Sequence, residues 1–136
     1  MKSTHELQNE IRCAANPGAL AGADFAPPAL TDYLERLLPA HGLSVREAIR
    51  RCNLERTYGY QLFNGRRRPT RTVLLRLALV LGLEEDEAQR LLKLAGRPVL
   101  YPRSRADAAV LYGLSHKLSL EETDELLTVL GEESLL

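Results

Sequence analysis

Arginine is the residue type whose number and spacing point most directly to chemistry. It supplies 15 of the 18 basic residues. Nine arginines fall between Ser44 and Arg76: Arg46, Arg50, Arg51, Arg56, Arg66, Arg67, Arg68, Arg71 and Arg76. Only Glu47 and Glu55 oppose them, so this window carries +7. A guanidinium is a planar fork of donors that grips a phosphate or the acceptor edge of a base through paired hydrogen bonds, whereas an ammonium acts as a point charge. Charge merely scattered over solvated helix faces does not account well for Arg66-Arg67-Arg68 between Gly65 and Pro69. The tail is the counterpart. From Leu118 to Leu136, the carboxylates of Glu121, Glu122, Asp124, Glu125, Glu132 and Glu133 meet no base, and that window carries −6. The total, 18 against 18, is zero. A neutral total limits non-specific attraction to a polyanion. It still leaves one part suited to phosphate and another suited to a partner or to avoiding DNA.

Other chemistry finds no constellation. His5, His41 and His116 are far apart, and Cys13 and Cys52 share no ligand spacing, so no metal site is expected. There is no phosphate-cradling glycine motif and no nucleophile elbow, so neither catalysis nor a cofactor is expected. Two cysteines are too few for a disulfide framework, and the reduced cytoplasm is the expected compartment. A length of 136 residues, 45% hydrophobic and 26% charged, allows one folded domain with a real core. No apolar run approaches the ~20 residues of a membrane span. The polar segment from Met1 to Ala15 lacks the apolar centre of a secretory signal.

The elements that must position these residues read as helices throughout. Ser3-x-x-Glu6, with Leu7, Ile11 and Ala15 at spacing four, predicts a short helix over about 4–15, stopped by Asn16-Pro17-Gly18. Residues 16–29, rich in Ala, Gly and Pro, read as a linker or irregular arm. Thr31 is placed to cap a helix that turns Tyr33, Leu34, Leu37 and Leu38 inward and ends at His41-Gly42. Ser44-x-x-Glu47 starts another helix, to about Cys52. After the break Asn53-Leu54-Glu55, a helix from Arg56 to Asn64 closes on Gly65. Thr70 caps the strongly apolar helix Val73 to Leu81, with Gly82 after it. Glu84 to Glu87 supply negative charge to the first turn of the next helix, which ends at Gly96. Arg97 to Arg103 is a loop. Ser104-x-x-Asp107 opens a helix to about His116, and Ser119-x-x-Glu122 opens the last, ending at Gly131. No strand is evident. Leu83 to Gly96 aligns without gaps to Leu118 to Gly131, matching at five of fourteen positions, which suggests a repeated helical hairpin of about 35 residues.

Residues 44–65 carry the most specific pattern: a capped helix, a three-residue break and a second helix, in the spacing of a helix-turn-helix. In such a unit the second helix can lie in a DNA major groove. Its inward residues are Leu54, Gly59 and Leu62, and its outward face shows Arg56, Thr57, Tyr60, Gln61 and Asn64. Arg reads guanine and Gln reads adenine through paired hydrogen bonds. Arg66 to Arg68 follow the helix directly, placed to hold phosphates. Tyr58 and Phe63 suit the core, while Tyr60 suits either core filling or stacking.

From about Leu30 to Leu83 the chain resembles the Xre/Cro/phage-repressor family of helix-turn-helix proteins. The stretch "LSVREAIRRCNLERTYGYQLFNGRRRPTRTVLLRLALVLGL" follows the family pattern without gaps, with Gly65, Pro69, Leu74, Leu77, Ala78, Leu81 and Gly82 at its landmarks. "RTYGYQLFNGRRRPTR" and "LYPRSRAD" are similar to a narrower Xre-like bacterial subfamily that carries a helical C-terminal extension. The resemblance implies that Arg56, Thr57 and Gln61 fall where base edges are touched. Ser44, Asn64, Arg66, Arg67 and Arg68 fall in or near positions that contact the DNA backbone. The chain departs from the family at several places. Val45 stands where Gln is common, Glu55 where Ser or Thr is usual, Asn53 in place of the turn Gly, and Gly59 in place of a core Ile. A bulky neighbour such as Tyr58 is one way to fill the space above Gly59.

The expected fold is an all-α, lambda-repressor-like helix-turn-helix bundle extended by C-terminal helical hairpins. Its expected parts are an N-terminal helix and arm (1–29), a DNA-binding domain (30–83) and a helical extension packed on it (84–136). The expected function is sequence-specific binding of double-stranded DNA by a bacterial transcriptional regulator. The alternative is a protein-interaction module, adaptor or antitoxin-like, that retains the fold. Arg56, Thr57, Tyr60 and Gln61 are the expected base contacts. Ser44, Arg46, Asn64, Arg66, Arg67, Arg68 and Arg71 are the expected phosphate contacts. Leu126, Leu127, Val129, Leu130, Leu135 and Leu136 exceed what one small helix buries. That excess points to a homodimer or a protein partner bound through the acidic C-terminal helix.

Overall fold

A computed structural model describes residues 25–136. The helix expected over 4–15, its stop, most of the 16–29 arm, His5 and Cys13 lie outside the described residues. The rest of the chain forms seven α-helices among the described residues, with no strand. They are α1 (Pro28–Ala40), α2 (Val45–Arg51), α3 (Arg56–Phe63), α4 (Arg71–Leu81), α5 (Glu85–Leu94), α6 (Arg105–Ser115) and α7 (Leu120–Val129).

Local chemistry sets the helix ends. The hydroxyls of Ser44, Thr70, Ser104 and Ser119 each accept the backbone N–H three residues on, as their positions predict. Thr31 does not cap α1. The helix begins three residues earlier, where Pro28 occupies the first helical position with Pro27 before it. A proline there has a preset φ and lacks only an N–H that would have no intrahelical partner. The preceding Ala26 is buried, and its N–H donates to the Gly65 carbonyl at 2.9 Å, so the chain entering α1 is tied to the end of α3. The bundle therefore includes the last residues of the expected arm.

All seven helices end in the same way. A residue of positive φ follows the last turn: Gly42, Asn53, Gly65, Gly82, Gly96, Lys117 and Gly131. In each case the next N–H donates five residues back, as Leu43 does to Leu38, Leu54 to Ile49 and Leu118 to Gly113. This is the Schellman closure, which satisfies carbonyls that a helix end would leave open.

Helix α4 is the hub, packing against α2, α5, α6 and α7. Its sequence is apolar on nearly every side, with Leu74, Leu75, Leu77, Ala78, Leu79 and Leu81 all buried. A helix apolar all round must be enclosed. One continuous core joins it to Leu30, Leu34, Leu37 and Leu38 of α1, Leu91 and Leu92 of α5, Val110 and Leu114 of α6, and Leu127 of α7. The repeat has a structural counterpart. Gly82-Leu83-Glu84 and Lys117-Leu118-Ser119 make equivalent turns, and the Glu87 and Glu122 carboxylates accept from the Glu84 and Ser119 N–H groups at 3.0 and 2.9 Å. Lys117 Nζ, on the second turn, donates to the Gly82 carbonyl and to Glu84 on the first, each at 2.9 Å.

Candidate nucleic-acid interface

The candidate interface is built from α2, the Asn53-Leu54-Glu55 turn and α3. Asn53 takes φ 57°, the left-handed conformation that the usual glycine would adopt. Glu55 then caps α3. One carboxylate oxygen accepts from Thr57 N–H at 3.0 Å and the other from Tyr58 N–H at 2.8 Å. Those hydrogen bonds hold this exposed carboxyl below its ordinary value.

Gly59 is buried against α2. A Cβ at this position would lie 2.7 Å from both Cγ atoms of Ile49. Ile49, not Tyr58, fills the space of the missing side chain. Leu54, Leu62 and Phe63 pack toward Leu34, Cys52, Leu74 and Leu77 around a small apolar gap. This fixes the inner side of α3 and leaves Arg56, Thr57, Tyr60 and Asn64 exposed, with Gln61 partly so. Tyr60 is 39% exposed and Tyr58 only partly buried.

The residues expected at phosphates divide into two groups. Ser44, Arg46, Asn64, Arg66 and Arg67 are exposed around the α2–α3 unit. Ser44 also caps α2, and the Asn64 side-chain oxygen accepts from Arg66 N–H at 3.1 Å. Arg68 and Arg71 instead turn toward the extension. Arg68 donates to the carbonyls of Ala95 and Gly96 at 2.9 and 2.8 Å. Arg71 pairs with both oxygens of the buried Asp107 at 3.1 and 2.9 Å and donates to the carbonyls of Pro98 and Val99. Arg97 completes the tie from the other side, donating to Pro69 at 3.0 Å. Arg76 donates to the carbonyls of Cys52 and Leu135. Three of the nine arginines thus tie together parts of the protein distant in sequence. A composition window cannot reveal this, because the partners lie 24 or more residues away in sequence.

Arg51 pairs with Glu47 across one helical turn at 3.6 Å. Arg46, Arg50, Arg56, Arg66 and Arg67 have no ion pair with another described residue. Arg50 is not among the expected contacts, although its i,i+4 spacing from Arg46 places both on one face of α2. Together with Arg56 and Tyr60 they line an open cleft floored by Ile49 and Leu54.

The C-terminal leucines are mostly accounted for within the chain. Leu127 and Leu135 are buried, and Leu126 and Leu130 pack against the core. Val129, 83% exposed, and Leu136, 48% exposed, are what remains of the apparent excess. Several acids also have internal roles: Asp124 accepts from Leu135 N–H at 2.7 Å, and Glu132 lies 3.8 Å from Arg105. His41 and His116 cap the C-terminal ends of α1 and α6. Among the described residues no three His, Cys, Asp or Glu side chains converge on a metal-sized site, and no helix is long and apolar enough to cross a membrane.

Comparison with protein families matches residues 29–91 to a helix-turn-helix domain. The matched segment runs from the second residue of α1 through α4 and most of α5, so it reaches past Leu83 into the region expected to begin the extension. No curated protein and no solved structure matches the chain. The all-helical architecture and the family match together give an all-α fold with a helix-turn-helix, a domain type that suggests DNA as partner.

Proposed function

We propose that this chain is a sequence-specific binder of double-stranded DNA and a bacterial transcriptional regulator of the Xre/Cro/phage-repressor type, acting in the cytoplasm. One observation carries the proposal: α3 presents Arg56, Thr57, Tyr60 and Gln61 outward while Gly59 and Leu62 anchor its other side. That arrangement supports a helix laid into a major groove, with side chains able to read base edges. Arg46, Arg66 and Arg67 flank the helix as phosphate contacts. Homodimerisation, which would present two such helices to half-sites one helical turn apart, belongs to the same proposal.

Binding to a library of genomic duplex fragments across a salt series tests it. A regulator enriches a defined motif and weakens steeply with salt as counterions are released. Failure to bind any duplex at low salt overturns the proposal. The second reading, a protein-interaction module, is favoured by the Glu55 carboxylate at the start of α3 and by the internal engagement of Arg68, Arg71 and Arg76. It predicts a stable protein partner on co-purification from the native cell.

A further inference from the structure

We infer that the cleft between α2 and α3, bordered by Arg46, Arg50, Arg56 and Tyr60, is the main seat for a backbone phosphodiester of bound DNA. The inference rests on the DNA-binding reading above and deepens it. Two independent observations support the cleft. The first concerns the neighbouring site that it replaces. The amino end of a recognition helix offers free N–H donors and a positive dipole end to a phosphate. Here Glu55 occupies the Thr57 and Tyr58 donors with both of its oxygens and places a negative charge on the spot. A phosphate approaching that end meets a carboxylate instead of free donors.

The second observation is the cleft itself. Arg46 and Arg50 stand one turn apart on α2, and Arg56 opens α3 beside them; all three are exposed and have no ion pair with another described residue. Three arginines border one space, and an anion seated there is attracted by all three. Ile49 and Leu54 give the space an apolar inner wall, which leaves the arginines as its polar partners for an anion. Tyr60 lines the same space. At about 100° per residue, Arg56 and Tyr60 lie on the side of α3 next to α2, where they border both the cleft and the outward face, while Thr57 and Gln61 lie farther from α2. The Arg66-Arg67-Arg68 loop, with Arg68 held by Ala95 and Gly96, is then a secondary phosphate contact.

The test measures duplex affinity across a salt series, using an enriched duplex and a scrambled one. The proteins compared are wild type, the double variant Arg46→Ala/Arg50→Ala, Glu55→Gln, and a control with two remote exposed arginines removed, Arg36→Ala/Arg103→Ala. Circular dichroism and Tm confirm that each is folded. The cleft variant is expected to weaken both duplexes by a similar factor, on the order of tenfold. It is also expected to flatten the slope of log K against log salt by about one for each phosphate no longer held. The control is expected to change the slope by much less, and Glu55→Gln to bind both duplexes more tightly. A cleft variant with the affinity and slope of wild type overturns the inference and leaves the DNA-binding reading standing. So does a control that matches the cleft variant, or a Glu55→Gln protein that binds more weakly. If wild type binds no duplex at low salt, the parent reading fails and the inference fails with it.

Discussion

Glu55 is a single side chain with a structural and an electrostatic role. Its carboxylate accepts from two of the open N–H groups of α3, and those hydrogen bonds, from Tyr58 and Thr57, lower its pKa below the ordinary 4.5. A group whose pKa is depressed by folding stabilises the fold above its unfolded value and loses that contribution as pH falls through the folded value. Glu55→Ala is therefore expected to lower Tm at neutral pH, with the gap to wild type closing as pH falls below 4.5. Thermal melts across pH check this; a gap that persists undiminished in acid contradicts the capping role. Cys52 shows the opposite environment. It is 1% exposed, and burial pushes its thiol up to about 12, against a smaller opposing pull from Arg76. With Cys13 replaced by Ser, Cys52 is expected to resist thiol reagents until the protein unfolds, because a buried neutral thiol is a poor nucleophile. Rapid labelling of the native protein contradicts this packing.

The helices themselves are largely legible in the sequence because both ends carry chemical signals. The caps expected at Ser44, Thr70, Ser104 and Ser119 are all present, and the glycines expected after the last turns take positive φ. The start of α1 departs from expectation where two signals compete: Thr31 offers a hydroxyl, but the proline at position 28 fixes the first turn. The junction of α2 and α3 is only half legible. Gly59 stands out as unusual, yet the residue that packs over it, Ile49, lies on another helix. The close approach makes a prediction. Gly59→Ala gains about 1 kcal/mol of helix propensity. The new methyl must also displace a stiff, β-branched Ile49, and such overpacking costs about 1–3 kcal/mol. The expected net effect is destabilisation in wild type and stabilisation in an Ile49→Ala background, read from urea denaturation in a double-mutant cycle. A Gly59→Ala protein more stable than wild type contradicts this account of the junction.

At the scale of the molecule, the helix-turn-helix and the extension form one unit. Their core is continuous, and reciprocal arginines link the loop after α3 to the loop after α5. This level is the least legible, since a run of arginines reads as a phosphate site until long-range partners such as Asp107 are seen. Asp107 receives Arg71 and the Tyr101 N–H, and it is buried. Asp107→Ala leaves Arg71 without its counter-charge at a partly buried site and is expected to cost about 2–3 kcal/mol. Denaturation monitored by circular dichroism and by tyrosine fluorescence should show a single coincident transition in both proteins. Separate transitions for the two halves contradict a shared core. The neutral total charge acquires a sharper meaning at this scale: Arg68, Arg71 and Arg76 hold the fold, and Arg46, Arg50, Arg56, Arg66 and Arg67 remain exposed, which is where the proposed DNA contact draws its positive charge.

The central claim is that the outward face of α3 reads base edges, and the sequence-preference profile of Gln61→Ala beside wild type tests it most directly. Selection from a random duplex library is expected to show the variant losing preference at one or two adjacent positions, by about 1–3 kcal/mol there, while its affinity for scrambled duplex stays that of wild type. A profile identical to wild type, with Gln61 absent and every base preference intact, contradicts it.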